Sequence, residues 1–372
     1  MTEIQAKVSA MGEAIERYSG VYRGDEPVVR GSYRTFGRQA IHLSDCLGFS
    51  EAQYANRQEW NARTDMARFH RVFHPFDESQ ELDWSPLWSL TRSEFKYLPA
   101  AYCYYGHPEE LRFYFGTADG NGNAAGNTIE EAILQGFLEL VERDSVAVWW
   151  YNRLRRPAVD LASFNLSYLN AIQDYYHQIN RDLWVIDVTT DLGIPTFAAI
   201  SRRTDQPVED ILIGLGAHLE PRIGLLRAVT ELNQFLPAVR NRAPDGSTIY
   251  DFPVGDAAIW WKTATLASES YLVPDSTLAA KRASDYRNLA SDDLLTDVQS
   301  CVAIASAAGL ETLVLDQTRP DIGMAVCRVV VPGLRHFWRR LGPGRLYTVP
   351  VKLGWLSAPT AEDQMNPRSI FF

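Results

Sequence analysis

No CxxC pair occurs in this sequence: the four cysteines, Cys46, Cys103, Cys301 and Cys327, are widely spaced and none stands next to a histidine. That argues against a paired-thiol metal or redox motif and against a thiol nucleophile. In a chain this long the cysteines read as free, buried thiols of a cytoplasmic protein. No apolar run approaches the roughly 20 residues a membrane-spanning helix needs. The first twenty residues lack the uninterrupted apolar stretch of a signal peptide. Basic residues are not in excess either. The formal net charge of −10 argues against general nucleic-acid binding, which requires a basic surface. Neither a GxxxxGK[ST] phosphate loop, an internal repeat, a heptad nor a Pro/Ser-rich linker is present. The expectation is one cytoplasmic catalytic domain over residues 1–372, with neither a nucleic-acid nor a membrane partner.

What is present is a mixture of helical and strand signals without βαβ alternation, which predicts an α+β fold with helices packed on mixed sheets. Residues 3–18 have helical periodicity, and a long helix is expected from Thr128 to Tyr151, stopped before Pro157. A third helix is expected over Pro221–Phe235. Strands are expected at 111–118, 183–190, 195–203, 211–219, 312–318 and 325–331. The glycine-rich stretch 119–127 reads as a loop that lets backbone approach a ligand. Residues 50–82, with Gln58, Glu59, Trp60, Arg63 and Arg68, read as helix and loop.

Three of these segments carry chemistry. In the first helix Ser9, Glu13 and Glu16 follow i, i+4, i+7 spacing, which places them within about 60° of arc, beside Arg17. In the long helix Asn127, Glu131, Gln135, Glu139 and Glu142 step by 4, 4, 4 and 3 and share about 120°. In the third, Arg227, Glu231 and Gln234 repeat the first spacing. A solvated helix face would mix lysine among its glutamates; the 127–142 face has no Lys or Arg before Arg143. Stacked carboxylates repel, so a cation belongs among them, and Mg2+ prefers carboxylate and phosphate oxygens. Arg17, Arg143 and Arg227 suit bidentate contacts to phosphate. Together these residue types describe a metal–nucleotide site.

The same segments resemble the signatures of the YcaO family. SAMGEAIERYSG (9–20) looks like its Ser-x-x-x-Glu-x-x-Glu-Arg motif, and GNTIEEAILQGFLELVERD (126–144) looks like its Asn/Glu/Gln/Glu/Glu-Arg ladder. GAHLEPRIGLLRAVTELNQF (216–235) is similar to the Arg-x-x-x-Glu-x-x-Gln motif. DQTRPDIGMAVCRVVVPGL (316–334) looks like the Thr-Arg-Pro-Asp and Val-Pro-Gly-Leu strand pair. The resemblance implies a YcaO-type fold holding ATP and Mg2+ between acidic helical faces. It implies that Ser9, Glu13, Glu16, Arg17, Asn127, Glu131, Gln135, Arg143, Arg227 and Glu231 bind nucleotide. Glu13, Glu16, Glu131, Glu139 and Glu142 would supply the metal ligands. The implied reaction is cyclodehydration of Cys, Ser or Thr in a ribosomally made precursor peptide: the side chain attacks the preceding carbonyl, and ATP phosphorylates the resulting oxyanion. A leader-peptide-binding partner in trans and a homodimer are expected. Alternatives are thioamide formation, macrocyclisation, or a non-catalytic peptide-binding subunit.

The family's Gly-Lys-Gly element normally precedes the first motif, so the chain is expected to be N-terminally truncated relative to the family. Azoline-forming members end in PxPxP, whereas residues 363–372 read DQMNPRSIFF. Outside the motifs, His70 and His74 have the i, i+4 spacing of half a metal site, with structural roles the simpler reading. His218 is a proton-transfer candidate or a core histidine. Trp149, Trp150 and Tyr151 are expected in the core or at a dimer interface.

Overall fold

A computed structural model describes residues 3–62, 70–252 and 254–370. The two sheets are antiparallel throughout. The larger runs β1 (Val29–Gly31), β2 (Leu82–Ser89), β10 (Leu313–Asp316), β11 (Ala325–Val330) and β4 (Asn123–Gly126), with β3 (Glu94–Pro99) on the other edge of β2. The smaller is β5 (Arg181–Asp187), β6 (Thr196–Arg203) and β7 (Leu212–Ala217) in sequential order, with Val185 opposite Ala199 and Ala199 opposite Gly214. A two-residue hairpin, β8 (Asn241–Arg242) and β9 (Thr248–Ile249), stands apart.

Among the described residues five helices reach twelve residues or more: α1 (Glu3–Ser19), α2 (Ile129–Tyr151), α3 (Ser167–Gln178), α4 (Pro221–Phe235) and α5 (Leu294–Ala307). Thr128 caps α2 by accepting the Glu131 N–H, and Asp293 caps α5. α2 is the central strut. Its first half packs Ala132, Phe137, Leu138 and Val141 against the larger sheet and α5. Its second half packs Val146, Val148, Trp149, Trp150 and Tyr151 into the core of the smaller sheet. Burial of each such side chain contributes about 1.5–3 kcal/mol, so the helix is fixed at both ends. The 149–151 aromatics are therefore core residues.

Two close approaches set the groove beside α2. A Cβ on Gly214 would lie 2.2 Å from the Leu232 nitrogen and 2.4 Å from the Ala228 oxygen, so α4 rests directly on β7. Gly122, at φ +74°, is pressed to the Val329 carbonyl, where a Cβ would come within 2.1 Å. Gly122 is thus fixed by protein packing, while Gly120, Asn121 and residues 123–127 line the two cavities described below, and part of the stretch, 123–126, is strand β4.

The segment 111–118 is not a strand. Residues Pro108–Phe113 form a helix, because Pro108 occupies its first turn, His107 accepts the Glu109 N–H, and Tyr114 closes it in the left-handed region. Its aromatics give it strand propensity, but local caps decide. Strands β1, β2 and β3 are not evident from sequence, since Pro86 interrupts β2 and serine breaks its apolar pattern. Within 50–82, helices cover Glu51–Ala55 and Arg57–Asn61; Arg63 and Arg68 lie outside the described residues.

Candidate ATP and magnesium site

α1 packs on β4 and β11 and faces α2 across a cleft of about 570 Å³. Eleven of the twelve expected residues line it: Ser9, Glu13, Glu16 and Arg17 from α1, then Asn127, Glu131, Gln135, Glu139, Glu142 and Arg143 along α2, and Arg227 from α4. The twelfth, Glu231, lines an adjoining cavity that shares Arg17, Glu139 and Arg143 with the cleft. Gln234 is exposed and lines neither.

Hydrogen bonds fix this array from several elements. The Asn127 backbone and side-chain N–H groups donate to Glu131 Oε2 at 2.7 and 2.9 Å, tying the loop to the first turn of α2. Glu139 accepts the Gly122 N–H at 3.0 Å and Arg143 Nη2 at 2.7 Å. Arg143 in turn lies 3.9 Å over the Phe337 ring. Arg227 donates to Gln135 Oε1, bridging α4 to α2, and Glu231 accepts the Leu215 N–H of β7. Arg17 reaches Glu13 and Glu16, each at 3.6 Å, and donates to the Tyr105 hydroxyl at 3.1 Å. Tyr105 and the Gly122 N–H are supporting groups that sequence reasoning missed; neither belongs to a periodic pattern that would reveal it.

The electrostatics are unbalanced: six glutamates (Glu13, Glu16, Glu131, Glu139, Glu142, Glu231) face three arginines (Arg17, Arg143, Arg227). Burial, then the Glu139 carboxylate, pushes Glu16 up to about 8. Burial also raises Glu142 to about 7, against the pull of Arg143, and burial followed by Glu142 raises Glu231 to about 8. Carboxylates of this kind fit Mg2+, a hard ion held by a few carboxylates together with water and phosphate oxygens. Among the described residues only Asp83, His107 and Glu109 bring three ligand atoms within 4.8 Å of one another, and the cleft glutamates are spread more widely along the helices. That other cluster is held by Arg30, which bonds both Asp83 and Glu109.

A pH dependence follows. Between the ordinary 4.5 and the raised values near 7–8, the folded metal-free chain holds protons that the unfolded chain has lost. Its stability should therefore fall as pH rises through that window. Mg2+ competes with these protons, so its affinity should increase over the same range and binding should release protons. Calorimetry with Mg2+ and ATP near pH 7, in buffers of differing ionisation enthalpy, measures that release; a heat independent of buffer would contradict it.

The histidines outside the cleft do not form the suggested half-site. His70 is buried, while His74 is exposed and its Nδ1 lies 3.1 Å from the Phe113 carbonyl oxygen. His218 Nδ1 accepts the Glu220 N–H at 2.9 Å, and burial lowers its pKa to about 4, which suits a structural histidine. All four cysteines are free and buried.

A cleft of carboxylates, amides and arginines on three helices, without a phosphate loop, has the donor set of a nucleotide–metal site in an α+β protein. Residues 1–335 match the YcaO cyclodehydratase family, described as ATP- and Mg2+-binding. The chain belongs to this family. It is 53% identical to a heterocyclase whose structure was solved in complex with substrate and cofactor, with a TM-score of 0.94 over 100% of this chain and 49% of that one. To the heterocyclase TruD it is 51% identical, with a TM-score of 0.90 over 99% of this chain and 51% of that one. An uncharacterized protein of Methanothermobacter thermautotrophicus is 27% identical over 90% of this chain and 80% of its own length. The chain thus spans about half the length of the two heterocyclases. No helix among the described residues is long and apolar enough to cross a membrane.

Proposed function

We propose that this chain activates backbone amides of a ribosomally made precursor peptide by ATP-dependent O-phosphorylation, converting Cys, Ser or Thr to azolines. The observation that carries this reading is the cleft itself: six carboxylates and three arginines converge from α1, α2 and α4. The likeness to heterocyclases over the full chain supports the same reading. Glu13, Glu16, Glu131, Glu139 and Glu142 are assigned to Mg2+. Ser9, Asn127, Gln135, Arg17, Arg143, Arg227 and Glu231 are assigned to the nucleotide, with Glu16, Glu131 and Glu13 shared between the two.

ATP supplies a phosphate leaving group in place of the amide oxygen, which leaves poorly by itself. The protein's part is positional and electrostatic. Arg143, held by Glu139 and stacked on Phe337, presents its guanidinium in one orientation. Arg227, held by Gln135, faces the cleft from the opposite helix. Recognition of the precursor's leader is assigned to a partner protein, and the enzyme to a cytoplasmic homodimer.

Incubation with precursor peptide, partner protein and Mg2+–ATP should release ADP and phosphate and remove one water from the peptide per residue modified. Mass spectrometry reads the product. Exchange of oxygen for sulfur would replace this reading with thioamide formation. Absence of any Mg2+–ATP binding would leave a non-catalytic peptide-binding subunit.

A further inference from the structure

Beside the acidic cleft lies the second cavity, of about 770 Å³. This is within the ~300–1,000 Å³ range of small-ligand pockets. The two spaces share one wall, made by Arg17, Glu139 and Arg143. The apolar part of its lining comes from separate parts of the chain: Phe235 at the end of α4, Phe337 and Trp338 after β11, and Ile370. His70 also lines the cavity. It is 3% exposed, and its Nδ1 has no hydrogen-bond partner. Val21 forms part of the rim, 43% exposed.

We propose that this cavity is the subsite for the substrate peptide, and that it takes an aromatic or branched apolar side chain next to the reacting amide. The inference rests on the reading that the chain acts on peptides. A peptide amide activated by a nucleotide in the cleft must reach it through a space that opens on the same Arg17–Glu139–Arg143 wall, and this cavity does. The apolar residues in its lining favour an uncharged group.

The test uses two capped dipeptides, acetyl-Phe-Cys-amide and acetyl-Gly-Cys-amide, with binding measured by ligand-observed NMR and Mg2+–ATP binding measured separately by calorimetry. Burying the phenyl ring should favour the Phe peptide by about 10-fold or more. Val21→Trp, which narrows the cavity at its rim, should weaken the Phe peptide about 10-fold. It should leave Mg2+–ATP affinity within about twofold, as expected of separate sites. Phe235→Ala, which only removes atoms from the apolar lining, should collapse the preference for Phe over Gly; it decides the matter if Val21→Trp melts early. Equal binding of the two dipeptides to the native chain overturns the proposal. So does a Val21→Trp chain that keeps the Phe peptide but loses Mg2+–ATP, which would place the nucleotide's base in the cavity. Failure of the native chain to bind Mg2+–ATP would sink the proposed function, while the dipeptide comparison would still decide the subsite.

Discussion

Replacing Glu142 with glutamine should reduce ATP turnover by about 10²–10³-fold, the usual cost of removing one preorganised charge-stabilising group, and should at the same time stabilise the metal-free protein. The two effects have one cause. Glu142 lies in the fourth turn of the α2 ladder beside Arg143 and Arg227, with the Glu139 carboxylate as its negative neighbour. In the metal-free chain its ionised form is penalised by burial, which the neighbouring arginines only partly offset. Glutamine has the same shape without the charge, so the penalty disappears together with the ligand for Mg2+. The stabilisation should be full above about pH 7, where native Glu142 is ionised, and should vanish towards pH 4.5. Differential scanning fluorimetry across that range, with and without Mg2+–ATP, reads both parts. The variant should melt higher when metal-free at pH 8 and lose the shift that Mg2+–ATP confers on the native chain. A variant that melts lower, or keeps full turnover, would remove Glu142 from the site.

The second large effect has the opposite sign and lies two residues away. Asp144 is fully buried and accepts the Arg335 backbone N–H at 2.9 Å and two contacts from Arg345, Nε at 2.9 Å and Nη2 at 2.7 Å. Arg345 also binds Asp191 at 2.7 Å, and Lys352 closes the cluster at 2.9 Å. This network clamps the middle of α2 to the helix Arg345–Lys352 and to the turn before β6. Asp144→Ala leaves Arg345 with half of its compensation in a buried setting. Loss of one partner from such a pair costs about 3–5 kcal/mol. With an unfolding entropy of about 2.1 cal/mol/K per residue, this corresponds to a fall in Tm of about 4–6 °C. Thermal melting of the metal-free protein measures it, and an unchanged Tm would mean that the network contributes no net stability.

Glu142 and Asp144 show what could be read beforehand. Both belong to the string Glu-Arg-Asp at 142–144, yet at 100° per residue they point about 160° apart. The helical period alone assigns Glu142 to the ladder with Glu131, Gln135 and Glu139, and Asp144 to another face. The ends of α4 at Pro221 and Phe235 were equally legible, and α2 starts one residue after its Thr128 cap. Other segments carried too little local information. The stretch 111–118 has the aromatics of a strand and was expected as one, but Pro108 and the His107 cap turn its first part into helix. Strand β2 is defined by its partners: β3 along one edge and β1 and β10 along the other.

What the sequence by itself determined is the set of groups and their order along each helix: carboxylates every third or fourth residue, arginines at Arg17, Arg143 and Arg227, and the absence of lysine along the ladder. These depend only on helical geometry, which is local. What the tertiary structure decided is how the three helices meet. Gly214 lets α4 sit on β7, so that Arg227 reaches Gln135 and Glu231 comes close enough to Glu142 for that carboxylate, after burial, to raise its proton affinity. The same packing opens the second cavity, lined by residues from Arg17 to Ile370. No spacing rule relates those positions, because a cavity wall is assembled from elements whose separation in the chain carries no information about their distance in space.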